Sequence, residues 1–298
     1  MRKMRLPLLI VLGVGVLGII LGSFFDFQIS TAIANPKSYL GITISAIGPT
    51  IGFGAVALMG GGFIVFGLKK EYHIVLRILF FVLAACCFGV SIFYPAGEYF
   101  GVNGFSWLGI PKSVGYAVVI LPEAAAVVGG YFLFRNISNK NMWIIWCSVI
   151  ALLLIALLAI IPSIKDFVRR PRYRAIIAYE GVTFHNWWEP CRNYKDLMAQ
   201  YGIESSDHFK SYPSGHSAEA SILIVAATFF PMADKKFHKY QLPAFYIACG
   251  ITALVMFARI LAAAHFLSDV SWGMSIVVAL TFIANEVVIR VKPLELEE

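Results

Sequence analysis

Eight residues in the C-terminal half of the chain carry groups suited to moving a phosphoryl group: Lys165, Arg172, Ser214, Gly215, His216, Arg259, His265 and Asp269. A phosphoryl group in transfer needs its oxygens neutralised by cations and hydrogen-bond donors already in place. Lys165, Arg172, Arg259, the Ser214 hydroxyl and the Gly215 amide supply these, so no metal or other cofactor is called for, and no CxxC or other metal-ligand spacing occurs. One histidine can attack phosphorus and a second can protonate the departing oxygen. His265 and Asp269 stand one helical turn apart, so the carboxylate can accept a hydrogen bond from the imidazole, fix its tautomer and stabilise a positive ring. Lys165 and Arg172 are two turns apart and share a face if their helix continues that far. Arg259 lies six residues before His265, which is not a same-face spacing, so a bend or a long reach must bring the two together.

The stretch Tyr212-Pro213-Ser214-Gly215-His216 closes a long polar loop and opens an apolar run. A proline, then a small hydroxyl residue, then an apolar run reads as a helix start, whose free amides and positive dipole end favour an anion. Glu219, three residues after His216, falls on the same side of that helix and is either an accessory group for the histidine or the substrate, or a paired structural carboxylate.

The elements that must hold these groups cross a membrane. The 298 residues are 59% hydrophobic and only 14% charged, with a mean hydropathy of +0.77, whereas soluble domains average about 25% charged. The apolar blocks are long enough to span a bilayer, which takes about 20 residues each. The expected fold is all-α, a polytopic membrane helix bundle with about eight spans at 6–25, 46–68, 74–93, 114–134, 142–162, 214–231, 243–262 and 267–289. Lysine and arginine of the short connections collect at 2–5, 69–70, 135–140, 235–239 and 290–292, and the short alternate connections carry only Lys37 and Lys112. The positive-inside rule therefore puts both termini in the cytoplasm and the long polar loop 163–212 outside. The N-terminal run is longer than a signal-peptide core and is read as an uncleaved span. The net charge of +7 is spread over loops, so nucleic acid is not an expected partner. Four of the five cysteines lie in apolar runs, and Cys191 is alone in the loop, so no disulfide is expected.

Lys165-x6-Arg172, Pro213-Ser214-Gly215-His216 and Arg259-x5-His265-x3-Asp269 resemble, in order and spacing, the three-part signature of the type 2 phosphatidic acid phosphatase superfamily. That superfamily includes lipid phosphate phosphatases, bacterial undecaprenyl-pyrophosphate phosphatases, glucose-6-phosphatase and vanadium haloperoxidases. The resemblance implies a six-helix phosphatase core over 74–298, preceded by two extra spans in 1–73. It implies His265 as the nucleophile that becomes phosphohistidine, oriented by Asp269, with His216 as general acid and then base. Lys165, Arg172, Ser214, Gly215 and Arg259 would hold the phosphate. The chain departs from the family pattern at Tyr173, where proline is frequent, and at Ala258, where serine is frequent; neither change removes a charged or nucleophilic group.

The activity so implied is hydrolysis of a lipid phosphate or pyrophosphate, with a soluble phosphate ester also open, at the outer face of a bacterial plasma membrane, with loop 175–210 as a lid and no obligatory protein partner. A non-catalytic membrane carrier or lipid-binding protein keeping the phosphate pocket is the alternative, but it would be expected to have lost His216, His265 or Asp269. A vanadate-dependent haloperoxidase is disfavoured because those enzymes are soluble. Among the remaining polar residues, Arg169, Arg170 and Arg174 read as headgroup or water contacts, His185 and His208 as surface residues, and Trp187-Trp188 as an interfacial anchor. Glu123, inside the fourth span, is, like Glu219, either a functional group or a paired structural carboxylate.

Overall fold

The computed structural model describes residues 1–100, 111–137, 149, 152 and 154–291. The described residues are helical, with no strand among them. The helices are α1 (Arg5–Ile33), α2 (Tyr39–Leu68), α3 (Ile74–Phe100), α4 (Lys112–Phe134), α5 (Ile161–Val168), α6 (Tyr173–Ala178), α7 (Tyr194–Tyr201), α8 (Gly215–Ala220), α9 (Ile222–Phe229), α10 (Gln241–Leu261) and α11 (Leu267–Val291). Six helical stretches are long and apolar enough to cross a membrane: Arg2–Ile33, Tyr39–Leu68, Ile74–Gly97, Ser113–Phe134, Lys235–Leu261 and Leu267–Arg290. Large apolar side chains cover their outer faces; Phe24 is 70% and Phe93 76% exposed, which suits lipid and would be unfavourable in water. The chain is thus a helical integral membrane protein.

One of the eight expected spans differs and another is described only in part. Of 142–162, residues 142–148, 150, 151 and 153 lie outside the described residues; its end is a π-helical turn, Leu154–Ile160, that runs into α5. The stretch 214–231 is not one helix. It breaks at Ser221, between α8 and α9, where the Ser221 hydroxyl donates to the Ser217 carbonyl at 2.7 Å. A serine bonding back to the preceding turn competes with the helix ladder and bends it.

α2 is the central helix, buried on most of its surface and packed on α3, α4, α8 and α10. Glycines set its approach to α4: a methyl on Gly61 would overlap the Val127 carbonyl, and one on Gly130 the Leu58 carbonyl. Small residues at a helix contact let the backbones close in, which is how helices associate in lipid.

α1 lies antiparallel along the whole of α11. At one end Arg5 makes a two-pronged bond to Glu286, at 2.6 and 2.7 Å. Between the ends, Gly15, Gly18 and Gly22 face Ser275, Ser271 and Ser268, with no room for a methyl at any of the three. α1 also extends past the expected end at 25, so Asp26 sits inside the helix and is buried.

The segment expected as a polar loop at 163–212 is a folded cap. Ala175, Val182, Cys191, Ile203 and Phe209 form a core of their own. This is why Cys191 is buried, and burial pushes its thiol up to about 11. Trp187 is not an open anchor either: its Nε1 donates to Ser23 of α1 at 2.9 Å, and its ring packs on Tyr212 and Trp272. Trp188 is the exposed member of the pair.

Candidate active site

The end of α10 solves the Arg259–His265 spacing. Ala263 takes a left-handed conformation (φ 54°). Ala263 N–H donates to Ile260 O at 2.9 Å and Ala264 N–H to Arg259 O at 3.1 Å. These are the two bonds of a Schellman helix end, normally built on glycine. The His265 amide also donates to Arg259 O, at 3.2 Å. The chain therefore turns back over Arg259, whose side chain is completely buried.

His265 is 1% exposed. Its Nδ1 lies 2.6 Å from the Ser211 carbonyl oxygen. A carbonyl only accepts, so Nδ1 carries the proton and Nε2 carries a lone pair, which faces Arg172 Nη1 at 3.5 Å. The direct bond expected from His265 to Asp269 is not made: Asp269 Oδ2 is 3.8 Å from Nδ1. That oxygen instead accepts from the Ser211 hydroxyl at 2.5 Å and the Phe266 amide at 2.9 Å. Asp269 therefore reaches the imidazole through Ser211, a residue the sequence reading did not single out. Burial comes first among the causes that hold the His265 imidazole well below its ordinary value, followed by Arg172, Arg259, Lys165 and His216. This also shows that four other sequence-predicted residues converge on His265.

Lys165 comes from α5 and donates to the Lys210 carbonyl at 3.2 Å. Burial, with Arg172 and Arg259, pushes its ammonium down to about 8, against the pull of Asp207 and Glu219. A methyl built on Gly215 would stand 3.8 Å from Lys165 Nζ and 3.6 Å from Glu219 Oε1, so both groups border the glycine. Arg172 is buried and held by the cap: Nε donates to the Asp207 carbonyl at 2.8 Å and Nη2 to its carboxylate at 2.6 Å. Burial alone would raise the Asp207 carboxyl, but Arg172, Arg174, Lys165 and Arg259 hold it below its usual value.

Ser214 caps α8, its hydroxyl accepting from the Ser217 amide at 3.3 Å, and its own amide donates to the Asp269 carbonyl at 3.0 Å. That second bond docks the 214–216 turn on α11. α8 has only six residues before the break at Ser221, so its dipole is short. The positive field therefore comes from the three cationic side chains rather than from a long helix as the sequence suggested. His216 is 6% exposed on the first turn of α8. Glu123 is buried on α4 facing Gly54 of α2 and does not join the cluster.

The three arginines read as headgroup contacts behave differently. Arg169 pairs with Asp166 at 2.6 Å and lies over the Tyr194 ring. Arg174 pairs with Asp207 at 2.8 Å. Arg170 is completely buried, bonded to Asp269 at 2.5 Å and to Asp26 at 3.0 Å. Of the two loop histidines, His185 offers its carbonyl to Arg170 Nε at 2.8 Å and His208 offers its carbonyl to the Arg172 amide at 2.8 Å. Both brace the site through the main chain. The signal available for Asp26 was a lone carboxylate directly after the first expected span, where apolar residues continue and a membrane helix rarely carries a carboxylate without a partner.

Searches of the curated proteins and of the solved structures find no match to the chain. A family model described as PAP2 superfamily matches residues 144–292, half of the chain, and takes in all eight residues from Lys165 to Asp269. By that match the chain belongs to the PAP2 superfamily, whose members are generally phosphatases and related phosphoesterases, and its apolar helices make it a membrane member.

Proposed function

We propose that the protein hydrolyses a lipid phosphate or pyrophosphate through a phosphohistidine formed on His265. The observation that carries this reading is the protonation geometry of His265: Nδ1–H is committed to Ser211 O, and the Nε2 lone pair points at a cluster of cations. In the first step Nε2 bonds to phosphorus as the bond to the leaving oxygen breaks, and His216 gives that oxygen a proton. In the second, His216 takes a proton from water, the water oxygen bonds to phosphorus, and the P–N bond breaks to release phosphate. Lys165, Arg172 and Arg259, with the Ser214 hydroxyl and the Gly215 amide, neutralise the phosphoryl oxygens as charge develops. Asp269 supports the ring that becomes positive. Glu219 is an accessory group that sustains the charge on Lys165.

The apolar outer surface supports a lipid substrate, whose tail stays in the bilayer while its headgroup meets the cations. The distribution of lysine and arginine supports an outward-facing site in a bacterial plasma membrane, with cytoplasmic termini. Undecaprenyl pyrophosphate, phosphatidylglycerol phosphate and phosphatidic acid all present the required headgroup. The test is phosphate release by the purified protein in detergent from this panel, with EDTA present and the His265→Ala variant alongside. Release from one lipid that survives chelation and vanishes in the variant is the expected result. No release from any lipid by well-folded protein, or release that persists in the variant, would reject the reading.

A further inference from the structure

We propose that Asp26, in the first helix, is a positioning residue for His265, acting through Arg170, Asp269 and Ser211. This rests on the phosphohistidine reading above and assigns a part in it to a helix outside the matched region 144–292.

The Arg170 guanidinium is 0% exposed, and every donor nitrogen has an acceptor. Nε donates to His185 O at 2.8 Å. Nη1 donates to Asp269 Oδ1 at 2.5 Å and to Ser268 Oγ at 2.9 Å, and Nη2 to Asp26 Oδ2 at 3.0 Å. Its faces are covered by the Phe266 and Phe184 rings, at 4.3 and 5.2 Å. Asp26 is saturated as well: Oδ1 accepts from the Ser268 amide at 2.9 Å, and the Ser268 hydroxyl donates to Oδ2. From Asp269 the path continues through the Ser211 hydroxyl at 2.5 Å, then from Ser211 O to His265 Nδ1 at 2.6 Å.

The charge count gives this chain of contacts its consequence. One buried arginine lies between two buried carboxylates, so the group carries one net negative charge beside the imidazole. Asp26 balances Arg170, which leaves the charge of Asp269 available to the ring when phosphorus bonds to Nε2 and the ring turns positive. Without the Asp26 charge, Arg170 neutralises Asp269 alone. In a buried site, with little water to screen it, that loss is felt at the ring. α1 is also held against α11 away from Asp26, by the Gly15, Gly18 and Gly22 contacts with the α11 serines and by Arg5 with Glu286.

The test compares Asp26→Asn, which keeps the shape and loses the charge, with Gly18→Ala, which disturbs the same helix contact without touching a charge. kcat, KM and the pH profile of phosphate release would be measured with thermal unfolding. The groups facing His265 are Lys165, Arg172, Arg259, His216 and Asp269, and all remain in both variants. Asp26→Asn is expected to lower kcat at least about tenfold, the lower end of what outer-shell orienting partners contribute. KM should stay within about twofold, and the acid limb of kcat/KM should move to lower pH, because a lost anion makes the imidazole harder to protonate. Gly18→Ala should lose thermal stability and keep its pH profile. An Asp26→Asn protein that is less stable but unchanged in kcat and acid limb would overturn the proposal.

Failure of the phosphatase reading is seen separately, as absence of turnover in the unmodified protein. In that event, diethylpyrocarbonate labelling of His265, read by mass spectrometry across pH, decides the positioning claim. A lower labelling midpoint in Asp26→Asn supports it, and an unchanged midpoint overturns it.

Discussion

The Nδ1 proton of His265 is held by the main-chain carbonyl of Ser211, at 2.6 Å. Ser211 in turn gives its hydroxyl proton to Asp269, at 2.5 Å. A single serine at the end of the cap thus sets the tautomer of the histidine and joins it to the carboxylate, and the cap becomes part of the site.

The low proton affinity of His265 fixes the acid side of the pH profile. Burial, Arg172, Arg259, Lys165 and His216 keep the ring neutral below the ordinary histidine value of 6.5. The acid limb of kcat/KM should lie below that value, since this quantity reports the free enzyme. Stability follows the same group. The unfolded chain binds the proton more readily, so stability is unaffected above 6.5 and declines as pH falls from there towards the folded-state value. Thermal unfolding from pH 7 to 5 checks the second statement, and a flat profile would contradict it.

Lys165 sets the basic side. With its ammonium pushed down to about 8, phosphate binding should weaken above that pH, seen as a fall in kcat/KM. Lys165→Arg should move the fall upward, because arginine stays charged in this range. Glu219→Gln should move it downward, because Glu219 raises the proton affinity of Lys165. An identical basic limb in all three proteins would rule out Lys165 as its source.

Gly273 of α11 lies where a methyl would overlap the Ser214 carbonyl. Backbone must move to admit it, and the 214–216 turn moves with it. Gly273→Ala should lower kcat by about 10²-fold, the scale for a displacement of roughly 1 Å in a reacting site. Gly250→Ala, which meets nothing on α10, should leave kcat unchanged.

Arg170→Ala would leave Asp26 and Asp269 as two buried carboxylates without their cation. Removing one partner from a buried ion pair costs about 3–5 kcal/mol. Thermal unfolding in detergent should show a large loss, with Arg170→Lys falling between the two. A change below about 1 kcal/mol would show that the buried network contributes little to stability.

The parts of the site legible in the sequence are those with local spacing. Lys165 with Arg172, the 213–216 turn, and His265 with Asp269 each sit within seven residues, so a pattern could bring them together before any fold was known, although the shared helical faces it assumed do not form: α5 ends at Val168 with Arg169 left-handed, Arg172 precedes α6, and His265 precedes α11. Membrane crossing was legible for the same reason, since each apolar run is continuous. What the sequence hid depends on contacts between distant segments. Asp26 meets Ser268 across 242 positions and Arg170 across 144. Asp207 meets Arg172 across 35. No periodicity marks such pairs. Arg170 looked like any basic residue outside a span because nothing local announces two carboxylates and two aromatic rings around it. The break at Ser221 was hidden because the apolar run continues across it, and hydropathy does not register a hydroxyl bonding to the preceding turn.

The most direct test of the account is to trap the intermediate. The protein in detergent would be mixed with the lipid substrate it turns over, quenched in alkali to preserve a phosphoramidate, digested and read by mass spectrometry. The account predicts phosphate on His265, absent in His265→Ala and accumulating in His216→Ala supplied with a substrate whose leaving group needs no proton. Phosphate found on His216 or another residue, or steady turnover with no phosphate on His265 under conditions that trap it, would contradict it.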